Sequence, residues 1–113
     1  MPEMGQDRAA KIRALNDKLR CDGLGGRIVI TAGLAALGPE NVERVRKAVV
    51  AFNTFTENDD PYGEHDFGSL EIDGETFFWK IDYYDLELEF GSEDPSDPDK
   101  TTRVLTIMRS EEY

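Results

Sequence analysis

The chain has 113 residues, is 39% hydrophobic and 10% aromatic, and carries a formal net charge of -11. That mixture suits one folded domain with a single core, residues 1–113, and excludes a disordered acidic tail, which could not bury enough apolar surface. Cys21 is the only cysteine, so an intrachain disulfide framework is excluded as well.

The start, MPEMGQDRAA, lacks the basic region and apolar run of a secretory signal, and the longest apolar run is Ala48 to Phe52. The expectation is therefore a cytoplasmic protein that does not enter a membrane, with residues 1–6 as a flexible beginning. The charge is unevenly spread. Up to Asn53 there are nine Lys/Arg against six Asp/Glu, whereas from Thr54 onward there are four against eighteen. Such a second half repels phosphate backbones and attracts basic surfaces, so a basic protein surface is the expected partner and direct nucleic-acid binding is not expected.

Asp7 to Arg20 reads as an amphipathic helix with Ile12, Leu15 and Leu19 inward, Arg8, Lys11, Arg13, Lys18 and Arg20 outward, and Gly23 as its stop. Gly23, Gly25 and Gly26 precede the next strand, Arg27 to Thr31. A phosphate loop places its glycines after a strand and before a helix, so this is a turn. LAALG, Leu34 to Gly38, reads as a helical turn or loop. Glu40 to Phe52, with Pro39 at a first helical position, reads as a second helix: Val42, Val45, Val49 and Phe52 form its stripe, and Glu40–Arg44 and Glu43–Lys47 are its i,i+4 pairs.

Asn53 to Gly63 is loop composition. Asp73-Gly74 then marks a hairpin, because a type I′ turn needs positive φ at both central residues. A two-residue turn sets Leu70 against Phe77, Glu71 against Thr76 and Phe67 against Lys80, and one step further His65 against Asp82. Phe77, Trp79, Ile81 and Tyr83 share one face; Phe78, Lys80, Asp82 and Tyr84 share the other. Leu86 to Phe90 reads as a further strand with Leu86, Leu88 and Phe90 inward and its edge open to homodimer formation. After the loop GSEDPSDPDK, a last strand from Thr102 to Arg109 is apolar on both faces and belongs at the centre of the sheet. The sum is an α+β fold of order α-β-α-β-β-β-β, two helices on one face of a mostly antiparallel sheet of about five strands.

Four kinds of chemistry are open to these residues. Cys21 with His65 is the only nucleophile–base pair, but Cys21 falls at a helix C-terminus, where the dipole disfavours a thiolate. Asp59, Asp60 and Asp66, with Glu64, His65 and Asp82, are oxygen-rich candidates for a hard cation, while one histidine and one cysteine fall short of a zinc set. No metal or cofactor is expected. His65 with Asp82 or Glu64 would make an acid–base pair in a pocket bounded by the Asp60 to Asp66 loop and the aromatics Tyr62, Phe78 and Tyr84. Glu71, Asp82, Glu87, Glu89, Glu93, Asp94, Asp97 and Asp99 form the remaining candidate, an acidic docking face. One strand carries carboxylates at only about half the phosphate density of a DNA strand, so two strands and the loop would be needed to imitate it.

LND at Leu15 to Asp17, DPYGEHDFG at Asp60 to Gly68, WKIDYYD at Trp79 to Asp85, TRVLTIM at Thr102 to Met108 and the closing EEY together resemble a domain-of-unknown-function family of small acidic bacterial proteins, mainly alphaproteobacterial and partly encoded on mobile DNA. The likeness runs from the first helix to Tyr113. It implies a bacterial, cytoplasmic, single-domain protein and a role in conflict between mobile DNA and host, and it carries over no activity, cofactor or catalytic residue. The expected function is a non-enzymatic acidic interaction protein, an inhibitor of a nucleic-acid-handling host defence system of the DNA-mimic, anti-CRISPR or anti-restriction type. The alternative is a small enzyme or ligand-binding domain around His65.

Overall fold

A computed structural model describes residues 4–113. Of the expected flexible beginning, residues 1–3 lie outside the described residues; helix α1 runs from Met4 to Asp22. Its end is the expected one. Gly23 takes φ 71° and donates to the Leu19 carbonyl at 2.9 Å, a left-handed cap that only glycine adopts without cost.

The strand β1, Arg27–Ile30, is followed by a single helical turn, α2, Ala32–Ala35, and by α3, Pro39–Ala51. Thr31 caps α2 through its side chain, and Pro39 opens α3 at the position where its missing N–H costs nothing. The expected i,i+4 pairs on α3 do not form. Arg44 instead reaches Asp73 of the hairpin at 2.9 Å and Arg46 takes Glu43 at 2.8 Å, because the hairpin turn supplies Arg44 with a nearer carboxylate.

The hairpin β2, Phe67–Ile72, and β3, Glu75–Tyr84, has the expected register, with Leu70 on Phe77, Glu71 on Thr76 and Phe67 on Lys80. Asp73 and Gly74 take φ 54° and 80°, the two positive values a type I′ turn demands. The last strand, β4, Thr102–Arg109, lies inside the sheet as expected. The order is β1-β4-β3-β2, with β1 parallel to β4 and the other pairs antiparallel.

The fifth strand expected at Leu86 to Phe90 is not one. Asp85 reverses the chain directly after β3: its N–H donates to Phe90 O at 2.8 Å, its carbonyl accepts from Leu88 N at 3.1 Å, and its carboxylate accepts from Glu89 N at 3.0 Å. Leu88 turns left-handed at φ 61°, and Gly91 returns to pair with Tyr84. A side-chain cap on the backbone here outcompetes the alternating pattern. Leu86, Leu88 and Phe90 consequently point to solvent.

The helices cover one face only. Leu19, Leu34, Val45 and Val49 pack on Phe77, Trp79, Ile81, Leu105 and Ile107, all on the same side by strand parity. The opposite face carries Phe78, Lys80, Asp82 and Tyr84, and Tyr113 at the chain end packs edge-on against Phe67 and Phe78. A 3-10 turn, Ser110–Glu112, ties that end down: Glu112 accepts from Thr31 Oγ1 at 2.6 Å and from Gly33 N at 2.9 Å. Those bonds, the Thr31 hydroxyl foremost, hold its carboxyl below the usual range.

Candidate functional site

The buried stripe of α1 holds two polar residues that a helical pattern would place elsewhere. Asn16 is fully buried and sits one turn from both Ile12 and Leu19. Its amide donates to Glu64 O at 3.0 Å and Tyr83 Oη at 2.8 Å, and its carbonyl accepts from Arg103 Nε at 2.8 Å. Arg103, on β4, is itself buried, donates to Pro95 O and lies 5.2 Å over the Tyr83 ring. Tyr83 closes the circuit by donating to the Glu64 carboxylate at 2.8 Å. Burial holds the Arg103 guanidinium below its ordinary pKa and pushes the Tyr83 phenol well up. A buried guanidinium is tolerated here because neutral acceptors and an aromatic face replace its water.

The second polar residue is Arg20, expected on the outer face and found buried. It crosses the face of Trp79 at 5.2 Å and donates to the carbonyls of Val49, Val50 and Phe52. Val49 O already accepts from Phe52 N at 3.2 Å; the guanidinium adds to that bond and supplies a donor to the Val50 and Phe52 carbonyls at the end of α3. Arg13 likewise turns inward to Gly63 O at 2.8 Å.

His65 belongs to the same assembly. It takes a left-handed φ of 55°, its N–H donates to buried Asp60 at 3.0 Å, and its ring stacks on Phe55 with centroids 3.6 Å apart. Nδ1 lies 2.8 Å from Asp17 and Nε2 3.8 Å from Asp60. The expected His65–Asp82 pair does not form, because the left-handed turn ends the strand at Phe67. Asp82 is taken by Lys80 at 2.6 Å. The expected pocket is not assembled either. Phe78 and Tyr84 lie on the sheet face opposite Trp79, and Trp79 is the face on which Phe55 and His65 pack.

The other chemical candidates are also separated. Cys21 is exposed and points to Val50 O at 3.7 Å, not to His65. Asp59 is exposed, Asp60 is committed to His65, and Asp66 has its pKa raised by burial and then by Glu64. Among the described residues no three His, Cys, Asp or Glu side chains are grouped to hold a metal ion.

The acidic candidates divide in two. Asp94 caps Ser96 through both its N–H and its hydroxyl and faces Arg8 at 3.6 Å; the Ser96 hydroxyl foremost holds its carboxyl low. Asp97 caps Asp99 N at 2.9 Å, and Glu93 lies 3.9 Å from Lys100. These shape the loop. Glu71, Glu87, Glu89 and Asp99 enter no ion pair among the described residues. Glu87 and Glu89 lie between Leu86 and Phe90, which are 60% and 71% exposed. Beside this tip, Asp85, Leu86, Glu87, Gly91, Glu93, Asp99 and Lys100 line an open concavity of about 350 Å³.

Sequence reasoning missed Asn16, Asp17, Arg20, Tyr83 and Arg103. Four of them lie in or beside the stretches LND, WKIDYYD and TRVLTIM, whose unusual polar residues inside apolar patterns were the available signal.

These features define a single-sheet α+β protein with its helices on one sheet face and an exposed acidic tip. The chain belongs to the family described as Protein of unknown function (DUF3768), which matches residues 30–112. No curated protein and no solved structure matches it. The matched stretch contains His65, Tyr83, Arg103 and the acidic tip, and begins after α1.

Proposed function

We propose that this protein is a non-enzymatic interaction module of the cytoplasm that inhibits a nucleic-acid-handling host protein by docking its Asp85–Gly91 tip on a basic surface. The observation that carries this reading is the exposure of Leu86, Leu88 and Phe90 between Asp85, Glu87 and Glu89. Large apolar side chains held out in water by a hydrogen-bonded turn are costly to a lone molecule and serve as anchors in an interface. The carboxylates around them provide steering and select basic partners. The leucines and phenylalanine also distinguish the tip from a simple phosphate imitation, which needs charge alone.

The His65 reading has less behind it. Its ring is stacked on one face by Phe55 and both nitrogens face carboxylates of the chain itself, an arrangement suited to holding the loop on α1.

The test is a pull-down from a bacterial host lysate with wild type, Phe90→Ser and Glu87→Gln/Glu89→Gln, at low and high salt. Phe90→Ser is expected to lose the partner at every salt, with an unchanged melting temperature because the ring is exposed. The double Gln variant is expected to bind with a much shallower salt dependence. Duplex DNA added in excess is expected to compete. A partner retained by both variants rules the tip out.

A further inference from the structure

The sheet has two edges, β1 and β2, and they are defended differently. β2 carries the exposed Glu71 and is crossed at its hairpin end by the Arg44–Asp73 bridge. β1 is Arg-Ile-Val-Ile, with no proline, no bulge and no charge at its centre, and Ile28 and Val29 are each 43% exposed. Monomeric proteins blunt such an edge with charge, proline or a covering segment. Here the helices lie over the sheet face, and among the described residues no strand follows β1 in the sheet order, which leaves its outer edge open.

The polarity of that edge can be read from one bond. Thr31 N donates to Ile107 O of β4 at 3.2 Å. In an extended strand both backbone groups of a residue point the same way and alternate along the chain, so Val29 also faces β4. The N–H and C=O groups of Ile28 and Ile30 face outward without a strand to receive them.

We propose that β1 pairs with β1 of a second copy, antiparallel and about a twofold axis at Val29, joining two four-stranded sheets into one of eight. The register follows from the outward groups: Ile28 and Ile30 of one copy exchange backbone hydrogen bonds with Ile30 and Ile28 of the other. Val29 meets Val29 in the close, non-hydrogen-bonded position. Every paired side chain is β-branched and apolar, and parity keeps the helices of both copies on the same side of the joined sheet. A second copy fits better than an acidic or basic stranger because the strand is its own complement, the self-matching that an isologous interface requires.

Charge permits it despite the net -11, since the half of the chain containing β1 carries nine Lys/Arg against six Asp/Glu. The acidic tip follows β3, two strands away from β1 in the sheet order. Two four-residue strands bury less than the ~1,200 Å² of a standard interface, so the dimer is of the weak, concentration-dependent kind.

Sedimentation velocity on the wild-type chain from about 5 to about 500 µM is expected to move from monomer to dimer, a midpoint in the micromolar range. Val29→Lys and Val29→Glu, each folded by circular dichroism, are expected to stay monomeric, since each sets like charges opposite one another. An equimolar mixture of the two is expected to recover a dimer. Phe90→Ser is expected to dimerise as wild type does. A wild-type chain that is monomeric at the highest concentration overturns the proposal, as does a dimer that survives Val29→Lys or a charge-swapped mixture that fails to associate.

Discussion

Asn16 occupies a position where a helical stripe ordinarily carries leucine, and its three hydrogen bonds connect α1, the Glu64 loop, β3 and β4. Asn16→Ala would leave the buried Arg103 Nε without its acceptor. The expected loss is about 3 kcal/mol, the scale of breaking a buried charged hydrogen bond, and urea denaturation measures it. Asp66 acts in the opposite sense. Burial and then Glu64 raise its pKa above the ordinary 3.8, so the folded state binds the proton more readily than the unfolded chain. Stability therefore falls as pH rises through the interval above 3.8. Asp66→Asn is expected to raise the melting temperature at pH 7, with the gain disappearing as pH falls below that interval. A gain that persists in acid would mean that charge is not its cause.

At the scale of elements, the structure depends on side chains that end one element and enter another. Arg20 caps the last carbonyls of α3 from α1. Nη1 faces the three carbonyls, Nη2 reaches Asp17 at 3.4 Å and the planar group lies over Trp79 and Phe55, a combination that a single ammonium cannot copy, so Arg20→Lys is expected to cost about 2 kcal/mol. Hydrogen exchange should then show faster opening at the end of α3 than at its start. The hairpin was legible in advance because Asp73-Gly74 determines its own register through local dihedrals. The segment after it was not: Leu86, Leu88 and Phe90 alternate as a strand would, but Asp85 caps the turn before pairing can begin. His65 was misplaced for a related reason, since a left-handed residue ends the two-residue alternation on which the extrapolation to Asp82 depended.

For the whole molecule, the charge split means that eighteen carboxylates share the second half with four cations. Self-repulsion within that half should weaken the fold at low ionic strength. Raising salt from about 20 to about 200 mM is expected to increase the melting temperature through screening, and a flat response would place the acids too far apart to interact. A β1-paired dimer would carry two acidic tips outward, so that a multivalent target gains avidity with no new contact.

Composition, local dihedral preference and hydrophobic period were enough to determine the two longer helices in outline, β1, the hairpin register, the central place of β4 and the separation of charge, because each depends on neighbours within a few residues; the expected two helices became three with the single turn α2, Ala32–Ala35. Only the tertiary structure decided which polar residues are core. Arg20, Asn16 and Arg103 are buried because acceptors distant in sequence, at Val49, Glu64 and Asn16 respectively, are brought to them by packing. It also decided that Leu86 to Phe90 forms an exposed tip and that β1 is left uncovered. Both depend on which segment occupies the next position in the sheet, a competition among distant parts of the chain that no local pattern records.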